Sequence, residues 1–196
     1  MSKKIAIMGS DRGNNFSAIV EYFKNSGVEI TCLSDNLNSD ILKCAEKLGV
    51  KHQYLPFEET AGYLGANDFD LIVLSDYKKE LTEEILELGR FVNVHPSLLP
   101  AFKGADAVQR AYFAGVKVSG VTVHRVVDEP EGYKIIAQYP VLIGNDMHFD
   151  EFEAEIHNLE NLLYPIVIDK LLKDEVFDFG DLISGCHGNC KGCSHS

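Results

Sequence analysis

The chain has 196 residues, 45% of them hydrophobic and 24% charged, which fits one globular domain and leaves no room for two large ones. Against 18 Lys and Arg stand 30 Asp and Glu, and the net charge of −12 excludes a surface that wraps a nucleic-acid backbone, so any bound phosphate must be met by local groups. No apolar run approaches the roughly 20 residues of a membrane helix, and the start Met1-Ser2-Lys3-Lys4-Ile5 lacks a signal-peptide core, so a cytoplasmic protein is expected.

In chain order, Ile5-Ala6-Ile7-Met8 reads as a strand, Gly9 to Asn15 as a polar loop, and Phe16, Ile19, Val20 and Phe23 as the apolar face of a helix. A second unit follows, with a strand from Val28 to Leu33 and a helix from about Ser39 to Leu48 that stops at Gly49. Asp70-Leu71-Ile72-Val73-Leu74 has the continuous apolar texture of a strand buried on both faces; a helix from Leu81 to near Gly89-Arg90 and a strand Phe91-Val92-Asn93-Val94 come next. This alternation predicts an α/β domain with a mostly parallel sheet, whose ligands gather beyond the carboxyl ends of the strands, at the loops after Met8, Leu74 and Val94. Asp106 to Gly115 is expected to be helical, Val118 to Val127 and Ile135 to Leu142 to be strands joined by a hairpin at Glu129-Pro130-Glu131-Gly132, and Phe149 to Leu172 one long amphipathic helix, with Pro165 the place for any bend. Residues 1–183 form the expected domain and residues 184–196 a Cys/His-rich tail.

Two places carry chemistry. The loop Ser10-Asp11-Arg12-Gly13-Asn14-Asn15 joins a strand to a helix, where free N–H groups and the positive helix end suit a phosphate; a helix cap by Asn14 or Asn15 explains the same residues equally well. In Asn93-Val94-His95-Pro96-Ser97-Leu98-Leu99-Pro100, strand alternation puts an amide and an imidazole on one side, where they can flank one reacting carbonyl: Asn93 as donor to a developing oxyanion, protonated His95 as donor and general acid. The alternative for His95 is a cap on the turn before Pro96.

Together with Gly104-Ala105-Asp106-Ala107 and Gly115-Val116-Lys117-Val118-Ser119-Gly120-Val121-Thr122-Val123-His124, that segment resembles the folate-dependent formyltransferases, in order from about Lys4 to Leu172. The resemblance implies a Rossmann-like sheet with a C-terminal hairpin and long helix. It also implies transfer of a formyl group from 10-formyltetrahydrofolate to a small amine, foremost that of glycinamide ribonucleotide in purine biosynthesis. By resemblance, Asn93 and His95 hold the oxyanion, Glu131 takes the position of a proton-shuttling aspartate, and Arg12, Gly13, Asn14, Asn15 and Glu160 meet the ribonucleotide. Lys79, Leu81 and Val126 are implied to meet the folate, and His124 to support the active-site strand. Small-molecule substrates follow, in a monomer or homodimer, with neither nucleic acid nor a membrane as partner.

The departures are specific. Glu131 is one methylene longer than the family's aspartate, and an ordinary exposed turn residue beside Pro130 is the alternative reading. Leu74-Ser75-Asp76-Tyr77-Lys78-Lys79-Glu80-Leu81 stands where the family carries Leu-Ala-Gly-Tyr/Phe-Met-Arg-Ile-Leu, so Asp76 replaces a glycine and Lys79 an arginine. These changes keep two further functions in view: another amine acceptor, such as an amino sugar nucleotide, and a non-catalytic ligand- or metal-sensing relative. In the tail, Cys186, Cys190 and Cys193 with His187 and His195 are the ligand types of a zinc ion or an iron-sulfur cluster; a tail without a metal, with redox-labile thiols, is the other reading. His52, His148 and His157 are expected at the surface or boundary, Cys32 and Cys44 as buried thiols, and Glu83, Glu84 and Glu87 on a solvated helix face.

Overall fold

The computed structural model describes residues 2–129 and 132–178, and the apolar runs become neighbours in one seven-stranded sheet. Its strands are β1 (Lys4–Met8), β2 (Glu29–Ser34), β3 (Lys51–Tyr54), β4 (Leu71–Leu74), β5 (Phe91–His95), β6 (Val118–Val126) and β7 (Tyr133–Leu142), in the order β3-β2-β1-β4-β5-β6-β7. The first five are parallel; β6 runs antiparallel to β5, and β7 to β6. The helices are α1 (Phe16–Phe23), α2 (Asp40–Lys47), α3 (Thr60–Ala66), α4 (Glu83–Leu86), α5 (Ala107–Phe113) and α6 (Phe149–Leu172).

Period-two alternation divides the core. Ile5, Ile7, Leu71, Val73 and Val92 point to one face, where they meet Phe16 and Phe23 of α1, Ile41 of α2 and the apolar stripe of α6. Ala6, Met8, Ile72, Leu74 and Phe91 point to the other, against Leu64 of α3 and Ile85 of α4. Both faces are covered, which is why β1 and β4 read as unbroken apolar runs.

The helix α6 has the expected bounds and continues through Pro165. Its start is held by Glu151, whose carboxylate accepts from the His148 amide at 2.9 Å. Tyr164, fully buried, points its hydroxyl between the ends of β4 and β5 and donates to the carbonyls of Leu74 and Val92, at 2.9 and 2.8 Å. One hydroxyl thus ties the long helix to the two strands whose ends lead into the site.

Two elements form where the sequence carried no expectation, and one is shorter than expected. β3 is a strand although Lys51-His52-Gln53-Tyr54 has no apolar run, because it is the sheet edge and mostly solvent-facing. α3 forms despite Gly62 and Gly65, anchored by buried Thr60 and Leu64. The helix expected from Leu81 to Gly89 is a single turn, α4, with Glu83, Glu84 and Glu87 exposed as anticipated. The hairpin joins β6 and β7 as expected, with the Gly132 amide donating to the Glu129 carbonyl at 2.8 Å; Glu131 itself lies outside the described residues, as do Cys186, Cys190, Cys193 and the whole 184–196 tail. Among the described residues no helix is long and apolar enough to cross a membrane, and no three His, Cys, Asp or Glu side chains stand together to hold a metal ion.

Candidate active site

The carboxyl ends of β1 and β4 are stitched together by their loops. The Ser75 amide donates to the Met8 carbonyl at 2.8 Å, the Ser10 amide to the Asp76 carbonyl at 3.2 Å, and the Lys78 amide to the Ser10 hydroxyl at 2.8 Å. Above them Lys78 pairs with Asp11 at 3.2 Å. Asp76, which stands where the resemblance implies a glycine, keeps a glycine-like left-handed backbone, φ 58°.

The first loop turns at Gly13, φ 60°, which rests on Ile41 of α2. The helix-cap reading fails for Asn15: its side chain makes no cap bond and instead donates to Asn161 Oδ1 of α6 at 3.2 Å. The amides of Asn14 and Asn15 have no backbone acceptor among the described residues, and the first turn of α1 holds no acidic side chain. Arg12 and Asn14 are exposed beside them, so the loop offers N–H groups, a guanidinium and a helix N-terminus to one anion.

On β5, Val92 and Val94 are buried while Asn93 and His95 are half-buried on one side, as the alternation requires. Asn93 lies opposite His124 of β6, at a register irregularity of the β6–β7 pair. The His124 Nδ1 faces the Arg125 carbonyl at 3.2 Å, so Nδ1 carries the proton and Nε2 accepts from Asn93 Nδ2 at 3.4 Å. That contact orients the Asn93 amide and leaves its second N–H for a ligand. His124 thus supports the strand as expected, its buried imidazole held below the usual 6.5 by desolvation.

His95 differs from the expectation of a protonated donor. Desolvation is the main effect on it and holds its pKa below 6.5, while its bond to the Phe102 carbonyl and the charge of Glu160 pull upward and Arg110 pulls down. Its Nε2 donates to that carbonyl at 3.1 Å, which leaves Nδ1 as a lone pair without a protein partner among the described residues. The lowered pKa favours the neutral ring, whose Nδ1 can act as a base and becomes a donor only after taking a proton. The turn behind it is fixed by Thr122, which donates to the Ser97 carbonyl at 2.6 Å and accepts from the Leu99 amide at 3.0 Å.

Glu160 is buried, 5% exposed, and His157 is its partner: Nδ1 to Oε2 is 2.9 Å. The boundary role expected for His157 is thus incomplete; its i, i+3 spacing to Glu160 on a helix is the signal that points to the pair. Pro96 and His157 line a cleft of about 340 Å³ between α5 and α6. The bond to Glu160 is the chief cause of a His157 pKa raised above 6.5. A raised folded-state value means that the stabilisation is complete below about pH 6.5 and is lost as pH rises through the folded value. Thermal unfolding of His157→Gln is therefore expected to show a Tm deficit relative to wild type that shrinks from about pH 6 to about pH 9; a pH-independent deficit contradicts the pairing. His95 and His124 titrate with the opposite sign but cancel in this comparison, since both proteins contain them.

Two of the residues expected to meet folate lie on the Phe91 face of the sheet, the side to which Asn93 and His95 also alternate. Leu81 and Val126 pack on the core cluster that includes Leu74, Ile85 and Phe91, and Val126 lines a cleft of about 420 Å³ with Leu86, Phe91, Arg125 and Asp128. Lys79 is exposed on the loop before Leu81. Cys32 is buried and Cys44 partly so, both free thiols; burial pushes Cys32 up to about 12, which fits a thiol without chemistry. Sequence reasoning missed Tyr164, Asn161 and Arg110, whose contacts are all tertiary or made to backbone carbonyls.

Comparison with known proteins agrees with this geometry. The family described as "Formyl transferase" matches residues 3–168. Phosphoribosylglycinamide formyltransferase of Bacillus subtilis is 35% identical over 185 residues, 87% of this chain and 95% of that protein. The crystal structure of phosphoribosylglycinamide formyltransferase from Streptococcus pneumoniae superposes with a TM-score of 0.76 at 36% identity, covering 86% of this chain and 98% of that one. Glycinamide ribonucleotide transformylase 1 from Geobacillus kaustophilus gives a TM-score of 0.81 at 32% identity, over 88% and 100% of the two chains. With the geometry of the Asn93–Pro100 segment, the parallel-then-antiparallel sheet and these matches in agreement, the chain belongs to the formyl transferase family.

Proposed function

We propose that this protein transfers the formyl group of 10-formyltetrahydrofolate to the primary amine of glycinamide ribonucleotide, a one-carbon step of purine biosynthesis. The observation that carries most weight is the pairing on β5 of an Asn93 amide oriented by His124 with His95 beside it on the same side of the strand. In this reading the amine nitrogen attacks the formyl carbon, and the carbonyl oxygen becomes an oxyanion that accepts from the free Asn93 N–H. His95 Nδ1 takes a proton from the attacking amine and, once charged, donates to the same oxyanion. The oxyanion then re-forms the carbonyl as the bond from carbon to N10 breaks, and N10 gains the proton that His95 took from the amine, with Glu131 given the shuttle role on its place in the sequence; His95 returns to neutral, and the products are the formylated ribonucleotide and tetrahydrofolate.

Arg12, Gly13, Asn14 and Asn15 bind the phosphate in this account, Glu160 with His157 accepts from ribose hydroxyls, and Lys79, Leu81 and Val126 border the folate. A second reading keeps the chemistry and changes the acceptor. It is favoured by Asp76, a carboxylate in the loop where the family has glycine. Separate titrations by calorimetry distinguish them: glycinamide ribonucleotide and a 10-formylfolate analogue should each bind saturably, whereas binding of the folate analogue alone moves the acceptor to another amine and binding of neither overturns both. The metal capacity of Cys186, Cys190 and Cys193 rests on ligand type alone; elemental analysis of anaerobically purified protein should find near-stoichiometric zinc or iron, and its absence refutes it.

A further inference from the structure

The loop from Ala101 to Asp106, between the His95 turn and α5, has an unusual backbone. Phe102, Gly104 and Asp106 all adopt left-handed φ values, 54°, 90° and 54°, two of them without the freedom of glycine. Apart from half-buried Phe102 its residues are exposed, so packing does not hold this shape. The shape turns three carbonyls toward one point, and their dipoles repel unless a cation stands among them.

Arg110, on the first turns of α5, supplies it. Its Nη2 donates to the carbonyls of Lys103 at 2.7 Å and Phe102 at 2.9 Å, and its Nε to that of Ala105 at 3.0 Å. Three charge-assisted bonds from one planar fork are a geometry that a lysine ammonium cannot copy. The Phe102 carbonyl is shared: it also accepts from His95 Nε2 at 3.1 Å.

We infer that Arg110 is a positioning residue for the formyl-transfer site, holding the 102–105 loop so that the Phe102 carbonyl fixes the ring plane and the Nε2–H tautomer of His95. The catalytic Nδ1 lone pair is thereby aimed at the substrate side. This deepens the function proposed above and rests on it for the word transfer, but the tautomer is a property of the free protein. The charged and titratable groups around His95 are Arg110 from α5, Glu160 from α6 and His124 from β6. Among them the Phe102 bond pulls the His95 pKa upward more strongly than the Arg110 charge pulls it down. Loss of Arg110 therefore has opposite signs for the two roles: release of the carbonyl lowers the His95 midpoint, whereas removal of a neighbouring charge alone raises it.

The test is nitrogen-15 NMR of the histidine rings in full-length, ligand-free protein, with His95→Gln assigning the signal. Wild type should show a single Nε2–H tautomer for His95. Both Arg110→Gln and Arg110→Lys should give mixed tautomers, a lower midpoint in the glutamine variant, and a fall of about 10-fold to 100-fold in kcat with KM values within about twofold. A lysine variant that matches wild type, or a glutamine variant whose His95 keeps one tautomer and titrates higher, overturns the inference and leaves Arg110 as a charge only. If wild type shows the tautomer but transfers no formyl group, it is the functional reading that fails and not the positioning.

Discussion

Replacing Asn93 or His95 by alanine is expected to lower kcat/KM for formyl transfer by at least about 100-fold, because each removes a group that acts on charge developing only in the transition state. In the proposed mechanism Asn93 offers one N–H to His124 and one to the oxyanion, so Asn93→Ala loses the donor and frees His124, a small structural change. His95→Ala loses the base and leaves the Phe102 carbonyl still bonded to Arg110. Both side chains are half-buried at a strand end, outside the two core clusters. The folded structure should persist, with circular dichroism unchanged and stability within about 1 kcal/mol of wild type. Steady-state rates beside thermal unfolding check both parts; a variant with full activity removes its residue from the mechanism.

The second large effect is expected at Gly13. A Cβ there would collide with Cδ1 of Ile41 and lie 2.6 Å from its Cγ1 and 2.9 Å from its Cβ, in a backbone of φ 60°. Ile41 is fully buried in the larger core cluster and has no space to swing into. The loop must move instead, and with it the amides of Asn14 and Asn15. Gly13→Ala should raise the dissociation constant for the ribonucleotide by about 10-fold or more and cost about 1–3 kcal/mol of stability, from strain and overpacking together. Folate-analogue binding should be little changed. Adding Ile41→Ala removes two of the three close atoms and should restore part of the affinity; calorimetric titration measures all of these, and an unchanged affinity in Gly13→Ala argues that the phosphate is bound elsewhere.

Much of this was legible in the residues. Two buried faces write β1 and β4 as continuous apolar runs, three-and-four spacing gives α6 its bounds, and a period of two puts Asn93 and His95 on one side. What could not be read is non-local. β3 is an edge strand whose polar sequence satisfies solvent on one side and hydrogen bonds to β2 on the other. Asn15 looks like a cap because its local chemistry suits one, but its partner, Asn161, lies 146 residues away on α6. Arg110 reads as one more surface charge, since its partners are carbonyls whose direction depends on three left-handed residues. The protonation of His95 was out of reach for the same reason: burial, which holds its pKa below 6.5 against the upward pull of the Phe102 carbonyl, is not visible in the motif.

The acceptor is the central claim, and one measurement addresses it directly. Purified protein is incubated with 10-formyltetrahydrofolate and glycinamide ribonucleotide, tetrahydrofolate release is followed by absorbance, and the ribonucleotide is weighed by mass spectrometry. The account predicts one tetrahydrofolate released per ribonucleotide gaining a formyl group, over many turnovers, and none of either with Asn93→Ala. Catalytic amounts of protein that bind both compounds yet leave the ribonucleotide unformylated would contradict it.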